Sequence, residues 1–288
     1  MDRTLAIEFT SRQWLLVRCG KGELLRQHLQ MELRVQKEAE FHNSAYEEGL
    51  RRGVSKYYEV MRESQDFYRN YLKAHCQSGH VLEYGCGQNS LARFLAGSGA
   101  ARVTGIDISE VAVRQVREQA RSAGCDIAEY QVMNAETLEF PEATFDLICG
   151  VAILHHLDLR KAFSEVARTL KPGGSAIFRE PLAHNPVFNL YRRLTPRLRT
   201  EDEHPLTMRD LEMASRYFEK VEVRYFHCFV LLAAPFARYL IFDRLLKSLE
   251  SIDRLLFKSL PFFRRFAWSV SIVLSGPRWP AARAVFQE

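Results

Sequence analysis

An α/β architecture, with helices on both faces of a mostly parallel sheet, is predicted by three observations. Short apolar runs alternate with helical segments from residue 80 to about residue 180. The first run, Val81-Leu82, ends in Glu83 and a glycine-containing turn, Gly85-Cys86-Gly87, and a helical segment follows at 90–96. The second run ends at Asp107, about 20 residues beyond the glycines, where an acidic side chain can accept both hydroxyls of a ribose.

Taken in order, the chain opens with a mildly apolar stretch punctuated by Gly20 and Gly22. A helix is then expected over 23–41, its stripe formed by Leu25, Leu29 and Leu33. Nothing in a nucleotide-binding core requires this helix, so residues 1–41 read as an extension that serves assembly into a homo-oligomer. A second helical region over 40–72 is rich in aromatics, including Tyr46, Tyr57, Tyr58, Phe67 and Tyr68. Strands are expected at 80–84, 103–107, 127–132, 145–149 and 175–179, with helices at 109–123 and 160–169. Beyond 180 the alternation stops. An Arg-rich, Pro-interrupted stretch is followed by a helix over 207–217, capped by Thr207, and by a strand over 218–226. Residues 229–263 read as an apolar helical insert with Leu245, Leu249, Ile252 and Leu256 as its stripe, and 268–274 as a closing strand.

Five motifs occur in sequence order: Glu83-x-Gly85-x-Gly87, Asp107 closing the second strand, Asn134-Ala135, Phe145-Asp146, and Leu170-Lys171-Pro172-Gly173-Gly174. Together they resemble the class I S-adenosylmethionine-dependent methyltransferases, and the resemblance covers roughly residues 78–180. One departure stands in the glycine loop, where many members carry a third glycine and this chain has Asn89. The layout of the flanking segments is loosely similar to bacterial secondary-metabolite methyltransferases, including the teleocidin C-methyltransferase. The resemblance implies a Rossmann-like sheet of seven strands with an antiparallel last strand. It also implies S-adenosyl-L-methionine as cofactor, bound by Glu83, Gly85, Gly87, Asp107, Ile108, Asn134, Ala135 and Gly150. Residues 42–77 become a lid, 78–180 the cofactor-binding core, 181–217 an acceptor-binding insertion, and 218–288 the end of the sheet with its helical insert.

His155 and His156 follow the fourth strand, where methyl group and acceptor would meet; one is a candidate general base, and pocket-shaping is an equal alternative. Tyr46, Tyr57, Tyr58, Glu180 and His184 are candidate acceptor contacts, although Glu180 could equally anchor its loop. The apolar insertions point to a bulky, largely apolar acceptor of the natural-product, prenylated, quinone or lipid kind, methylated at oxygen, nitrogen or carbon, and to contact with apolar substrate or with a membrane surface.

Composition bounds the alternatives. The net charge of +5 is modest and the basic residues are scattered among acids, which argues against a nucleic-acid substrate. Six cysteines without a Cys-x-x-Cys pair suggest reduced thiols and no metal site. Glu8 and Arg12 interrupt any signal peptide, and Pro235 and Arg238 interrupt any spanning segment, so a cytoplasmic protein is expected. A nicotinamide-dependent oxidoreductase is the competing enzyme class, but its Gly-x-Gly-x-x-Gly opening fails at Ser90. A cofactor-binding homologue without catalysis is the competing non-enzyme.

Overall fold

The computed structural model describes residues 22–48, 59–195 and 203–278. Seven strands, β1 (His80–Tyr84), β2 (Arg102–Asp107), β3 (Ala128–Val132), β4 (Phe145–Val151), β5 (Leu170–Pro181), β6 (Phe218–Phe226) and β7 (Ser269–Pro277), form one sheet in the order β3-β2-β1-β4-β5-β7-β6. Strands β1 to β5 run parallel, and β7 enters antiparallel between β5 and β6. The strand order reverses between β1 and β4, which opens a crevice at their carboxyl ends.

Apolar runs make the central strands because both of their faces are covered. Leu82, Tyr84 and Ile148 point into one core with Phe163 and Val166 of α5 (Leu159–Thr169). Their neighbours Val81, Leu147 and Cys149 point into the other, with Leu72 of α2 (Arg62–His75) and Val116 of α4 (Glu110–Ser122). The short α3 (Ala92–Gly97) follows the glycine turn. Side-chain caps fix the starts of the later helices. Ser109 accepts from the Ala112 amide ahead of α4, and Asp158 from the Arg160 amide ahead of α5. Asn185 caps α6 (Pro186–Leu194), and Thr207 and Asp210 form a reciprocal capping box on α7 (Met208–Met213), which passes into a 3₁₀ turn at Ala214–Arg216.

Three expectations need correction. The division at residue 41 falls inside α1 (Gly22–Glu48), which runs unbroken past it. Within the second helical region Glu59–Met61 is a 3₁₀ turn ahead of α2, and Tyr57 and Tyr58 lie outside the described residues. The apolar insert is three pieces rather than one helix: a 3₁₀ segment Val230–Phe236, α8 (Phe242–Ser259), and a second 3₁₀ segment Pro261–Phe266. Pro235 and Pro261 lack the amide that a continuous helix needs. The face that α8 buries is also not the expected one: Phe242, Leu246, Asp253 and Phe257 are buried, Leu245, Leu249 and Leu256 are half-buried, and Ile252 is exposed. The reason is Asp253. Its carboxylate points inward and accepts from the amides of Cys228, Phe229 and Val230, which turns the helix by its strongest polar contact rather than its leucines.

Asp253→Ala removes the acceptor for three amides, and is expected to destabilise the fold by roughly 3 kcal/mol. Urea unfolding reads this directly, and an unchanged midpoint would refute the anchoring role.

Candidate active site

A cleft of about 860 Å³ opens at the carboxyl ends of β1, β2 and β4. At its floor the chain leaves β1 through Gly85 and Gly87, both with positive φ, a conformation that side chains with a Cβ rarely adopt. The turn is held from outside by one carboxylate. Asp107 Oδ2 accepts the Gly87 amide at 2.8 Å, and Oδ1 accepts the Ser109 amide at 2.9 Å, which leaves further lone pairs toward the cleft. Asp107 therefore joins the glycine loop to the start of α4, while Ser109 is the cap of that helix. Beside it, Glu83 is buried and accepts from Ser90 Oγ at 2.5 Å and from the Leu91 amide at 2.6 Å. Burial pushes the Glu83 carboxyl up to about 7, against the pull of those two donors.

The far wall is the loop after β3. Asn134 Oδ1 accepts the Glu136 amide at 2.9 Å, and the Tyr84 hydroxyl donates to the Ala135 carbonyl. Gly150 closes the space between β1 and β4, where a Cβ would lie 2.9 Å from the Tyr84 carbonyl oxygen. All eight residues expected at the cofactor, namely Glu83, Gly85, Gly87, Asp107, Ile108, Asn134, Ala135 and Gly150, line this cleft, as does Tyr46.

The roof is α1, whose part up to residue 41 was expected to serve assembly and whose part from residue 42 was expected in the lid. Arg34 donates to the buried Glu136 carboxylate and, at 2.9 Å, to the carbonyl of His156. Glu136 also accepts the Asp158 amide at 2.8 Å, so a single carboxylate fastens α1 to two core loops. Further along α1, Asn43 accepts from the Ser109 hydroxyl at 2.5 Å, and the Tyr46 carbonyl accepts from Gln88 Nε2 at 3.1 Å. Arg34, Glu38 and His42 are spaced at i, i+4 and i+8, a polar stripe on one face that the leucine pattern had hidden. All three line the cleft.

At the end nearest β4 and β5, His156 meets this stripe. Its Nδ1 lies 3.5 Å from Glu38 Oε2, and its ring centroid lies 5.2 Å from that of His42. Burial holds the His156 imidazole below its ordinary pKa, with Glu38 opposing, so the ring is neutral at pH 7. Tyr68, Val151, Ile153, Leu157 and Arg179 complete this end.

Three expected acceptor-end residues are placed elsewhere. His155 is buried behind its neighbour and does not line the cleft; its Nδ1 meets Glu180 Oε2 at 2.7 Å and its Nε2 lies 3.9 Å from Glu203. Glu180 is fully engaged in the interior, accepting from His155 and from the amides of Ile153 and Leu154 at 2.9 and 3.0 Å. It anchors the loop after β4 through those backbone amides. His184 is half-exposed on the segment leading to α6 and is outside the cleft lining, as are the other described residues of the 181–217 insertion. Glu38, His42, Tyr68 and Arg179, which the sequence did not single out as acceptor contacts, line the cleft.

Comparison with known proteins agrees with this geometry. Residues 82–178 match a family described as a methyltransferase domain. An O-methyltransferase of Penicillium expansum is 33% identical over 112 residues, which cover 38% of this chain and 41% of that protein. The ubiquinone biosynthesis O-methyltransferase of Alkalilimnicola ehrlichii is 35% identical over 123 residues, 41% of this chain and 49% of the relative. The matches thus span less than half the length of these curated relatives. Among solved structures, Haemonchus contortus phosphoethanolamine N-methyltransferase 2, in complex with phosphomonomethylethanolamine and S-adenosylhomocysteine, superposes with a TM-score of 0.52 at 19% identity, covering 70% of this chain and 49% of that one. Geranyl diphosphate C-methyltransferase from Streptomyces coelicolor A3(2) superposes with a TM-score of 0.50 at 18% identity, covering 73% and 79%. Residues 82–178 thus match a methyltransferase domain, and the sheet that carries them shares the fold of these two methyltransferase structures. The donor set fits the cofactor, with a carboxylate at the end of β2, an amide-lined glycine turn, and a buried acid where a cationic amino-acid group can be met.

Glu83 yields a test of that fit. Because its pKa in the fold is raised, the protonated form is the one the free protein favours. Its stabilising contribution is present below the ordinary value of 4.5 and is lost as pH rises through about 7. A cationic ligand reverses the preference. Calorimetric affinity for S-adenosylmethionine is therefore expected to tighten between pH 6 and 8, and Glu83→Gln to flatten the profile. A flat profile in the unaltered protein would refute the assignment.

Proposed function

We propose that this protein transfers a methyl group from S-adenosylmethionine to a hydroxyl of a bulky, largely apolar small molecule. The observation that carries the reading is the composition of the cleft end beyond Gly150. Val151, Ile153 and Leu157 give its wall an apolar stretch beside Tyr68 and Arg179, and a neutral imidazole faces a carboxylate there. Oxygen is favoured over the carbon centre that the sequence also allowed, since an O–H acceptor must lose a proton and the two relatives described above bear O-methyltransferase names.

The cofactor, when bound by Glu83, Asp107, Asn134 and the glycine loop, supplies an electrophilic methyl carbon. The work of the chain is then to align the acceptor, exclude water and remove a proton. Glu38 orients the His156 ring through Nδ1, which leaves Nε2 as the lone pair for the acceptor proton. Tyr46 and α1 cover the cleft from above, and Arg34 holds that cover to the loop carrying His156. His155 and Glu180 act on position alone, fixing the backbone at Ile153 and Leu154.

A second reading has its own observation. Polar atoms of Glu38, His42 and His156 lie within 4.8 Å of one another, a two-histidine, one-carboxylate set that a divalent cation could use. On that reading a chelator abolishes activity and the added cation restores it; on the base reading chelation has no effect.

Release of S-adenosylhomocysteine, followed with a panel of hydroxylated apolar acceptors, tests the proposal. His156→Ala is expected to lower kcat by roughly 10²–10⁴-fold with cofactor affinity kept. The acid limb of kcat/KM should fall below pH 6.5, because a base with a depressed pKa stays neutral to lower pH. Glu38→Gln should move that limb further toward acid, since Glu38 is what raises the imidazole. Unchanged turnover in His156→Ala would refute the base assignment.

A further inference from the structure

Among the described residues, large apolar side chains are exposed on one part of the molecule above all others. Phe229, Leu232, Phe236, Tyr239, Leu240, Ile241, Ile252, Leu255, Leu260 and Phe262, each more than one-third exposed, all belong to the connection between β6 and β7. A patch of this size calls for a partner. The same connection is basic, with seven Arg and Lys against three Asp and Glu over 229–266. Two of those acids are already engaged: Asp253 caps backbone amides, and Asp243 pairs with Arg62. Arg238, Arg244, Lys247, Lys258 and Arg265 are exposed and form no salt bridge among the described residues.

The charge and the apolar surface are arranged side by side. At 100° per residue, the outward face of α8 carries Lys247, Lys258 and Arg244 in one arc, and Leu255 and Ile252 in the next. Leu240 and Ile241 extend the apolar arc at one end of the helix, and Leu260 and Phe262 at the other. Val187, Leu190 and Leu194 of α6 are exposed as well, and α6 is tied to this connection by Asn185 on the Phe266 carbonyl and by Phe188 against Trp268. An apolar strip flanked by cations is the pattern of a helix lying in the interface of an anionic bilayer. A second copy of the chain would set like charges against each other across a self-complementary contact, and is disfavoured.

Topology places this surface at the active edge. Phe226 ends β6 and Ser269 starts β7 opposite Pro181, the carboxyl end of β5. The connection therefore hangs from the sheet edge onto which the cleft opens. We propose that residues 229–266 dock the protein on an anionic phospholipid surface, with the cleft edge held toward the bilayer from which an apolar acceptor would come. The acceptor part of this inference rests on the function proposed above; the docking part does not.

Co-sedimentation with vesicles tests it, using phosphatidylcholine alone and phosphatidylcholine with phosphatidylglycerol. The intact protein is expected to bind the mixed vesicles at least tenfold more tightly, and raised salt to weaken that binding. Leu240→Glu/Leu255→Glu/Phe262→Glu should lose vesicle binding at least tenfold while keeping its affinity for S-adenosylmethionine, which shows the core still folded. The milder Lys247→Gln/Lys258→Gln should lose only the preference for anionic lipid. Equal binding by the triple variant, no binding by the intact protein, or self-association that the triple variant abolishes without any vesicle binding would each overturn the proposal. A protein that docks yet methylates no acceptor would leave docking standing and refute the function alone.

Discussion

One buried carboxylate, Glu136, decides how this molecule is put together. It sits in the loop after β3, accepts the Asp158 amide from the loop after β4, and receives the Arg34 guanidinium from α1. A carboxylate withdrawn from water at this depth requires such partners, and a cation reaching it from outside the core brings its helix along. With α1 drawn down, Glu38 and His42 come over His156, Asn43 reaches Ser109, and Tyr46 covers the glycine turn. Without that contact the crevice would be an open groove with a cofactor-binding floor and no acceptor end.

The core was legible because each of its motifs answers a local requirement. A turn that must bring its backbone to a ligand selects Gly85 and Gly87; a strand end that must accept hydroxyls selects Asp107; strands covered on both sides select uninterrupted apolar runs. These needs are met within a few residues of sequence, so the spacing reveals them. Spacing marks Glu83, Gly85, Gly87 and Asp107, whereas Ile108, Asn134, Ala135 and Gly150 came with the family resemblance. The closing antiparallel strand came with the resemblance too.

The acceptor end was harder to read because its residues meet across the fold. His156 and Glu38 are far apart in the chain, and only the descent of α1 joins them. The leucines of 23–41 drew attention to the apolar side of that helix, whereas the residues that line the cleft, Arg34, Glu38 and His42, lie on its polar side. His155 and Glu180 were singled out for their position after β4 and β5. Their side chains turn inward and satisfy one another and two backbone amides. In the same way, the stripe of α8 was taken for its buried face, and the inward Asp253 shifts it toward solvent. In each case a buried polar contact outweighed the apolar pattern, because an unsatisfied buried amide or carboxylate costs more than a leucine left at the surface.

Hydrogen exchange on the full chain, with and without S-adenosylmethionine, bears most directly on the account that the cofactor core and α1 form one chamber. Ligand binding should slow exchange both at residues 85–90 and 105–109 and along 34–46, to a similar degree, while NAD gives neither effect. Slowing confined to the core loops, with α1 exchanging as before, would contradict it.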